Sequence, residues 1–173
     1  KIFPYEDCEI EYPTNKEVPR LQTLTIKHQR ILMRHLIEKP TAQNIGVLLA
    51  LCTGMRIGEV CALQWQDVDF RQQVITVRHT VGRVYNCELK VTEKIQSSPK
   101  TRNSYRDIPI SKHLFQCLKT VKKVSASPYV VGSSEHSKEP RSYRDYFSRL
   151  LKRLKIPQIV FHGLRHTFAT RCI

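Results

Sequence analysis

Four stretches of the chain combine residue types that handle phosphate or protons with local punctuation that would hold them in place. The first is Thr53-Gly54-Met55-Arg56-Ile57-Gly58-Glu59, where an apolar run stops at a glycine and a shorter one begins just after Arg56. An arginine leaving such a core-anchored turn is held rigidly, and its planar fork grips an anion through two parallel hydrogen bonds. Glu59, one helical turn on, is placed to hold that guanidinium. The second is Phe161-His162-Gly163-Leu164-Arg165-His166-Thr167, in which His162 and Arg165 are three apart and share a helix face. On one phosphate, Arg165 would neutralise oxygens while His162 moves a proton, the task an imidazole suits best near neutral pH.

The third is the polar stretch Ser97-Ser98-Pro99-Lys100-Thr101-Arg102-Asn103-Ser104, a turn between strands in a region that also carries Lys94, Arg106 and Lys112 against the single acid Asp107. A lysine on such a hairpin reaches into a groove and can deliver a proton to a leaving oxygen. The fourth is a helical segment with Arg141, Arg144, Arg149, Lys152, Arg153 and Lys155 on one side and Tyr143, Tyr146, Phe147, Leu150, Leu151 and Leu154 on the other. That pairing of faces suits a helix laid along a phosphate backbone, and equally any soluble basic helix. His162 and His166 have the i, i+4 spacing of a zinc pair, but Gly163 stands where the metalloprotease motif needs glutamate, and Arg165 would repel a dication.

Positioning these groups requires several elements. Thr25 predicts a helix cap with the helix running to about Glu38, ended by Pro40. Thr41 predicts a second cap, before a run that is apolar on most sides and therefore central, with Gly54 as its C-terminal stop. A short helix is expected over 57–64, and Val74-Ile75-Thr76-Val77 reads as a strand. Residues 78–110 read as a small antiparallel sheet with its polar turn near 96–104, ending in the strand-like Arg106-Asp107-Ile108-Pro109-Ile110. Ser111 caps a helix to about Lys123, Tyr129-Val130-Val131-Gly132 is briefly extended, and helices follow over 142–155 and from His162 onward. The fold class expected is mainly α with a small antiparallel sheet.

The 173 residues suit one compact domain, and a formal charge of +14 sets the kind of partner. Residues 1–18 hold five acids and two lysines, so the remainder carries +17, a field that attracts polyanions, nucleic acid being the commonest. Residues 1–20, with Pro4, Pro13 and Pro19 and no clear period, read as an arm or linker before a domain over 21–173. No apolar run approaches membrane-spanning length, and the opening Lys-Ile-Phe-Pro-Tyr-Glu is not a signal peptide. None of the six cysteines forms a C-x-x-C pair, so all are expected as free thiols in a reducing compartment.

Together these stretches resemble the catalytic domain of the tyrosine recombinases, the phage and conjugative-transposon integrase family. T-G-M-R-I-G-E-V-C-A-L-Q-W-Q-D-V-D is similar to its first arginine box, S-P-K-T-R-N-S-Y-R-D-I-P-I to its lysine-bearing hairpin, and H-G-L-R-H-T-F-A-T to its H-x-x-R box, in that order across residues 20–173. The resemblance implies that fold. It implies that Arg56 and Arg165 clamp a scissile phosphate, that Lys100 protonates the departing 5′ oxygen, that His162 is acid/base on the attacking side, and that Glu59 and His166 support them. Arg102, Arg106, Arg141, Arg144 and Arg149 would contact double-stranded DNA. No metal or cofactor is implied; a homo-oligomer on DNA is, in the cytoplasm of a bacterium or a phage host. In the family a further His or Trp and a tyrosine nucleophile follow the second box, whereas all seven tyrosines here precede His162. The family's amino-terminal DNA-clamping domain is likewise missing, so the expectation is a fragment that holds phosphate without cutting DNA. A non-catalytic, sequence-specific DNA-binding module on the same scaffold and a zinc hydrolase built on His162 and His166 are the alternatives.

Overall fold

A computed structural model describes residues 23–86, 91–97, 105–132 and 135–171. Helix α1 (Ile26–Glu38) starts where the Thr25 hydroxyl accepts from the His28 amide, and α2 (Ala42–Thr53) where Thr41 does the same for Asn44. These side chains satisfy amides that the helix itself leaves unpaired. Helix α2 is the axis of the molecule: Ile45, Val47, Leu48, Leu49, Ala50 and Leu51 are all buried. Around it pack Leu32 and Leu36 of α1, Leu114, Leu118 and Val121 of α4 (Lys112–Val124), and Tyr143, Phe147, Leu150 and Leu151 of α5 (Pro140–Arg153). Helix α6 (His162–Arg171) closes against α2, with Leu164 buried and Phe161 set among Tyr143 and Phe147. The fold is mainly α with small antiparallel sheets, as the residue pattern predicts.

The sheet region is not the single sheet expected. Strands β1 (Val68–Asp69), β2 (Val74–Val77) and β5 (Arg106–Pro109) form one antiparallel sheet in the order β1-β2-β5, while β3 (Thr80–Asn86) and β4 (Val91–Ser97) form a separate hairpin. The reason lies in β2, whose Ile75 and Val77 are fully buried and need an ordered ladder beside them. β5 supplies it through Ile75↔Ile108 and Val77↔Arg106, and the hairpin is inserted between the two partners. Of the turn expected over 96–104, Gln96 and Ser97 belong to β4 and the rest lies outside the described residues.

Two helix ends also differ from the sequence expectation. Helix α3 (Ile57–Ala62) stops short of Gln64, because Leu63–Trp65 pairs with the extended segment at Tyr129: Val130 donates to the Leu63 carbonyl and Trp65 to that of Pro128. Helix α5 begins at Pro140, not Ser142, since Glu139 caps it and a proline at the first helical position has no amide to lose. It ends at Arg153, two residues before Lys155, which takes a positive φ of 54°. Cys52, Cys61 and Cys117 are free thiols, and burial pushes Cys61 up to about 12 and Cys52 to about 11, so neither is a nucleophile. Cys8, Cys87 and Cys172 lie outside the described residues.

Candidate active site

The site is built on the end of α2. Gly54 takes a left-handed conformation (φ 66°), and a Cβ there would lie 2.7 Å from the Phe168 ring of α6, so both backbone and packing demand glycine. The turn throws the chain out of the buried helix and seats Arg56 as the residue preceding α3. Two residues later Gly58 lets α3 close on β3: a Cβ would sit 2.6 Å from both the Thr80 hydroxyl and the Val81 carbonyl. Met55, between the arginine and the turn, is buried. Arg56 is therefore fixed on both sides while its side chain remains 54% exposed.

Glu59 lies beneath it, 4% exposed, with each carboxylate oxygen accepting twice. Oε2 takes the Arg56 backbone amide at 2.8 Å and Arg106 Nη2 at 2.8 Å; Oε1 takes Arg56 Nη1 at 3.1 Å and Arg106 Nη1 at 3.1 Å. Burial alone would raise this carboxyl, but the bonds from Arg106 and from the Arg56 amide and guanidinium prevail and hold it below the ordinary glutamate range. Among the described residues the Arg56 guanidinium thus gives one of its five donors to Glu59.

The second arginine joins the same turn. Arg165 Nη1 of α6 donates to the Gly54 carbonyl, so the backbone that aims Arg56 also anchors Arg165. Arg165 is half-buried, and burial followed by the charges of Arg56 and Arg106 holds its pKa below the usual arginine range, with Glu59 opposing. His162 is exposed at the start of α6, its ring meeting that of His166 edge-on at 4.5 Å. Partial desolvation of the ring, then the charges of His166, Arg165 and Arg56, lower its pKa, which favours the neutral, proton-accepting form. Residues 109 positions apart in the chain, Arg56 and Arg165, thus share one turn.

The remaining sequence candidates separate. Lys100 and Arg102 lie outside the described residues. Lys94 donates to the Ser137 carbonyl at 2.8 Å. Arg141, Arg144 and Arg149 are exposed along α5 and belong to none of the bonds that join Arg56, Glu59, Arg106 and Arg165. Arg106, grouped in the sequence with DNA contacts, has its fork on Glu59. Its part in the site was missed, though a signal existed: alternation along β5 puts Arg106 on the inner side with Ile108, and an inward arginine needs a buried anion. Among the described residues no three His, Cys, Asp or Glu side chains gather as a metal set, and no helix is long and apolar enough to cross a membrane.

The fold is that of the tyrosine recombinase catalytic domain. It matches the Tn1549 transposon integrase in complex with transposon right end DNA with a TM-score of 0.70 at 24% identity, over 91% of this chain and 55% of that one. The XerA recombinase matches with a TM-score of 0.65 at 20% identity, over 87% and 50% of the two chains. The sequence profile of the phage integrase family covers residues 16–173, and the chain belongs to that family. Among curated relatives, a tyrosine recombinase XerC-like protein of Caldanaerobacter subterraneus is 29% identical over 143 residues, 72% of this chain and 37% of that protein. The transposase from transposon Tn916 of Enterococcus faecalis is 26% identical over 171 residues, 88% and 41% of the two. The ICEBs1 integrase of Bacillus subtilis is 30% identical over 131 residues, 69% and 34%. The chain therefore spans about two fifths of the length of the first two curated relatives.

Proposed function

We propose that this chain is the phosphate-binding catalytic domain, over residues 21–173, of a site-specific DNA recombinase that cleaves and religates strands through a 3′-phosphotyrosyl intermediate. Residues 1–20 serve as the arm leading into it. One observation carries the reading: Arg56 and Arg165 are tied to the single turn at Gly54 with donors to spare, and His162 stands one helical turn from Arg165 on α6.

In this reading the two guanidiniums hold the non-bridging oxygens of one phosphodiester and stabilise the charge that grows on them as the phosphorus becomes five-coordinate. A tyrosine hydroxyl attacks, the new P–O bond forms as the bond to the 5′ oxygen breaks, and His162 takes the hydroxyl proton. Lys100 gives a proton to the departing 5′ oxygen. Attack of that hydroxyl on the phosphotyrosine reverses each step, so bond energy is conserved and no nucleotide cofactor or metal is used. Tyr143 is fully buried with its hydroxyl on the Gln43 carbonyl, and Tyr146 bonds Asn44 at the far end of α2, so neither of these two is placed to attack a phosphate at the Gly54 turn. His166 packs on His162 and supports its orientation, as Glu59 does for Arg56. Arg102, Arg141, Arg144 and Arg149 add backbone contacts to double-stranded DNA, on which copies of the protein assemble, in the cytoplasm.

The test uses the complete gene product and duplexes enriched by binding from a random-sequence pool. The wild type is expected to form a covalent protein–DNA adduct through a 3′ phosphate, and Arg56→Ala to reduce it by roughly 10²–10³ with duplex affinity within a few fold. Tight binding without adduct would instead make the protein a binding module, and affinity that ignores salt would dismiss nucleic acid altogether.

A further inference from the structure

We propose that Arg106 is a positioning residue of this phosphate site, a counter-cation that occupies the buried Glu59 carboxylate and so leaves the Arg56 guanidinium acting as a cation toward its ligand. The inference rests on the reading of Arg56 as a phosphate ligand. A lone Arg56–Glu59 pair would close on itself. The two are three residues apart at a helix start, and a buried carboxylate facing one guanidinium draws it into a two-pronged, charge-neutral pair. An arginine so engaged would offer a phosphate little net charge and few donors.

Arg106 prevents this by geometry. It takes both carboxylate oxygens itself, at 2.8 and 3.1 Å, and so fills the prongs that Arg56 would otherwise use. Arg56 is left with one side-chain bond and its backbone amide on Glu59. The position of Arg106 is dictated by the core: β5 pairs with β2 through Val77↔Arg106 and Ile75↔Ile108, and Ile75 and Val77 are buried. Glu59 is fixed from the other side, where Gly58 lets α3 sit against β3. A contact 47 residues long in sequence is thus set by two packed elements and not by the flexibility of an arginine stem.

The charge balance of the site points the same way. With Arg106 present, Arg56, Arg106, Arg165 and Glu59 sum to two positive charges, and the Arg165 pKa registers the fields of both other arginines. A five-coordinate phosphorane formed from a phosphodiester and an ionised oxygen nucleophile carries two negative charges. Without Arg106 the set would hold a single positive charge, and the transition state would be undercompensated.

The experiment compares the wild type with Arg106→Gln, Arg106→Lys and the double variant Glu59→Gln/Arg106→Gln. Adduct formation by the complete gene product is measured at saturating enriched duplex, and duplex affinity is measured on the 173-residue chain. Arg106→Gln is expected to lower adduct formation about 10- to 100-fold, the worth of one charge-assisted hydrogen bond. Arg106→Lys, which restores charge without the fork, falls between. The double variant decides: with the carboxylate charge gone Arg56 is free again, so adduct formation returns to within about threefold of the wild type, while affinity stays within a few fold in every variant. This holds even where Arg106→Gln alone leaves a buried charge unpaired and fails to fold. A double variant as impaired as Arg106→Gln, or more so, overturns the proposal and makes Arg106 a direct DNA contact. If the wild type forms no adduct, the recombinase reading fails by itself, and duplex affinity still decides the role of Arg106: affinity within a few fold of the wild type in Arg106→Gln and in the double variant fits a positioning residue, and a larger loss in both makes Arg106 a direct DNA contact.

Discussion

Two cationic regions of this molecule are made in opposite ways. At the Gly54 turn, three arginines are locked by a buried carboxylate, a backbone carbonyl and two glycines that admit close packing, before any ligand arrives. Along α5, Arg141, Arg144 and Arg149 stand exposed on a helix whose other face is core. Orientation that already exists in the free protein lowers a barrier, because donors need not reorganise as charge develops. Exposed side chains supply long-range attraction that salt screens. The comparison teaches that the same residue type can serve geometry or field, and that its anchoring tells which.

The largest test of that division is Arg165→Ala. It should cut adduct formation roughly 10²–10³-fold while duplex affinity moves only a few fold; a matching loss of affinity would put Arg165 with the field-forming residues. Gly54→Ala comes next. A left-handed backbone costs a non-glycine residue about 1–3 kcal/mol, and here the added methyl also meets Phe168. Thermal melting should fall by several degrees and adduct formation should drop with it, since both arginines hang on this turn. Arg149→Ala belongs to the other region: affinity should weaken mildly, the slope of log K against log salt should flatten by about one, and adduct formation at saturating DNA should be unchanged.

The smallest effect is the pH response of His162. In the free protein its ring proton should titrate below the ordinary histidine value of 6.5, for the reasons of burial and neighbouring cations given above. Between its folded pKa and 6.5 the unfolded chain binds more protons, so this contribution to stability is present above that window and is lost as pH falls through it. Histidine ring C–H resonances followed against pH read this directly. A value above 6.5 would mean that an anion, not the arginines, dominates its surroundings.

Much of the fold was legible because its signals are local. Thr25, Thr41 and Gly54 mark helix ends through bonds spanning three or four residues, and the all-apolar α2 could only be central. The arginine and histidine boxes were readable for the same reason, each falling within one helical turn. What escaped was long-range. Nothing near Val74–Val77 says that β5 and not β3 will pair with it, and nothing near Leu63 announces the pairing with Tyr129 that ends α3. Arg106 escaped as a partner of Glu59 for that reason too, its inward placement following from a register that only the folded sheet sets.

Whether two guanidiniums meet one phosphate is tested most directly by a crystal structure of the chain with a duplex. The expected result is a single backbone phosphate within hydrogen-bonding distance of both Arg56 and Arg165, with His162 beside it and Arg106 still on Glu59. Arg56 and Arg165 bound to different phosphates, or one of them turned away from the DNA, would contradict it.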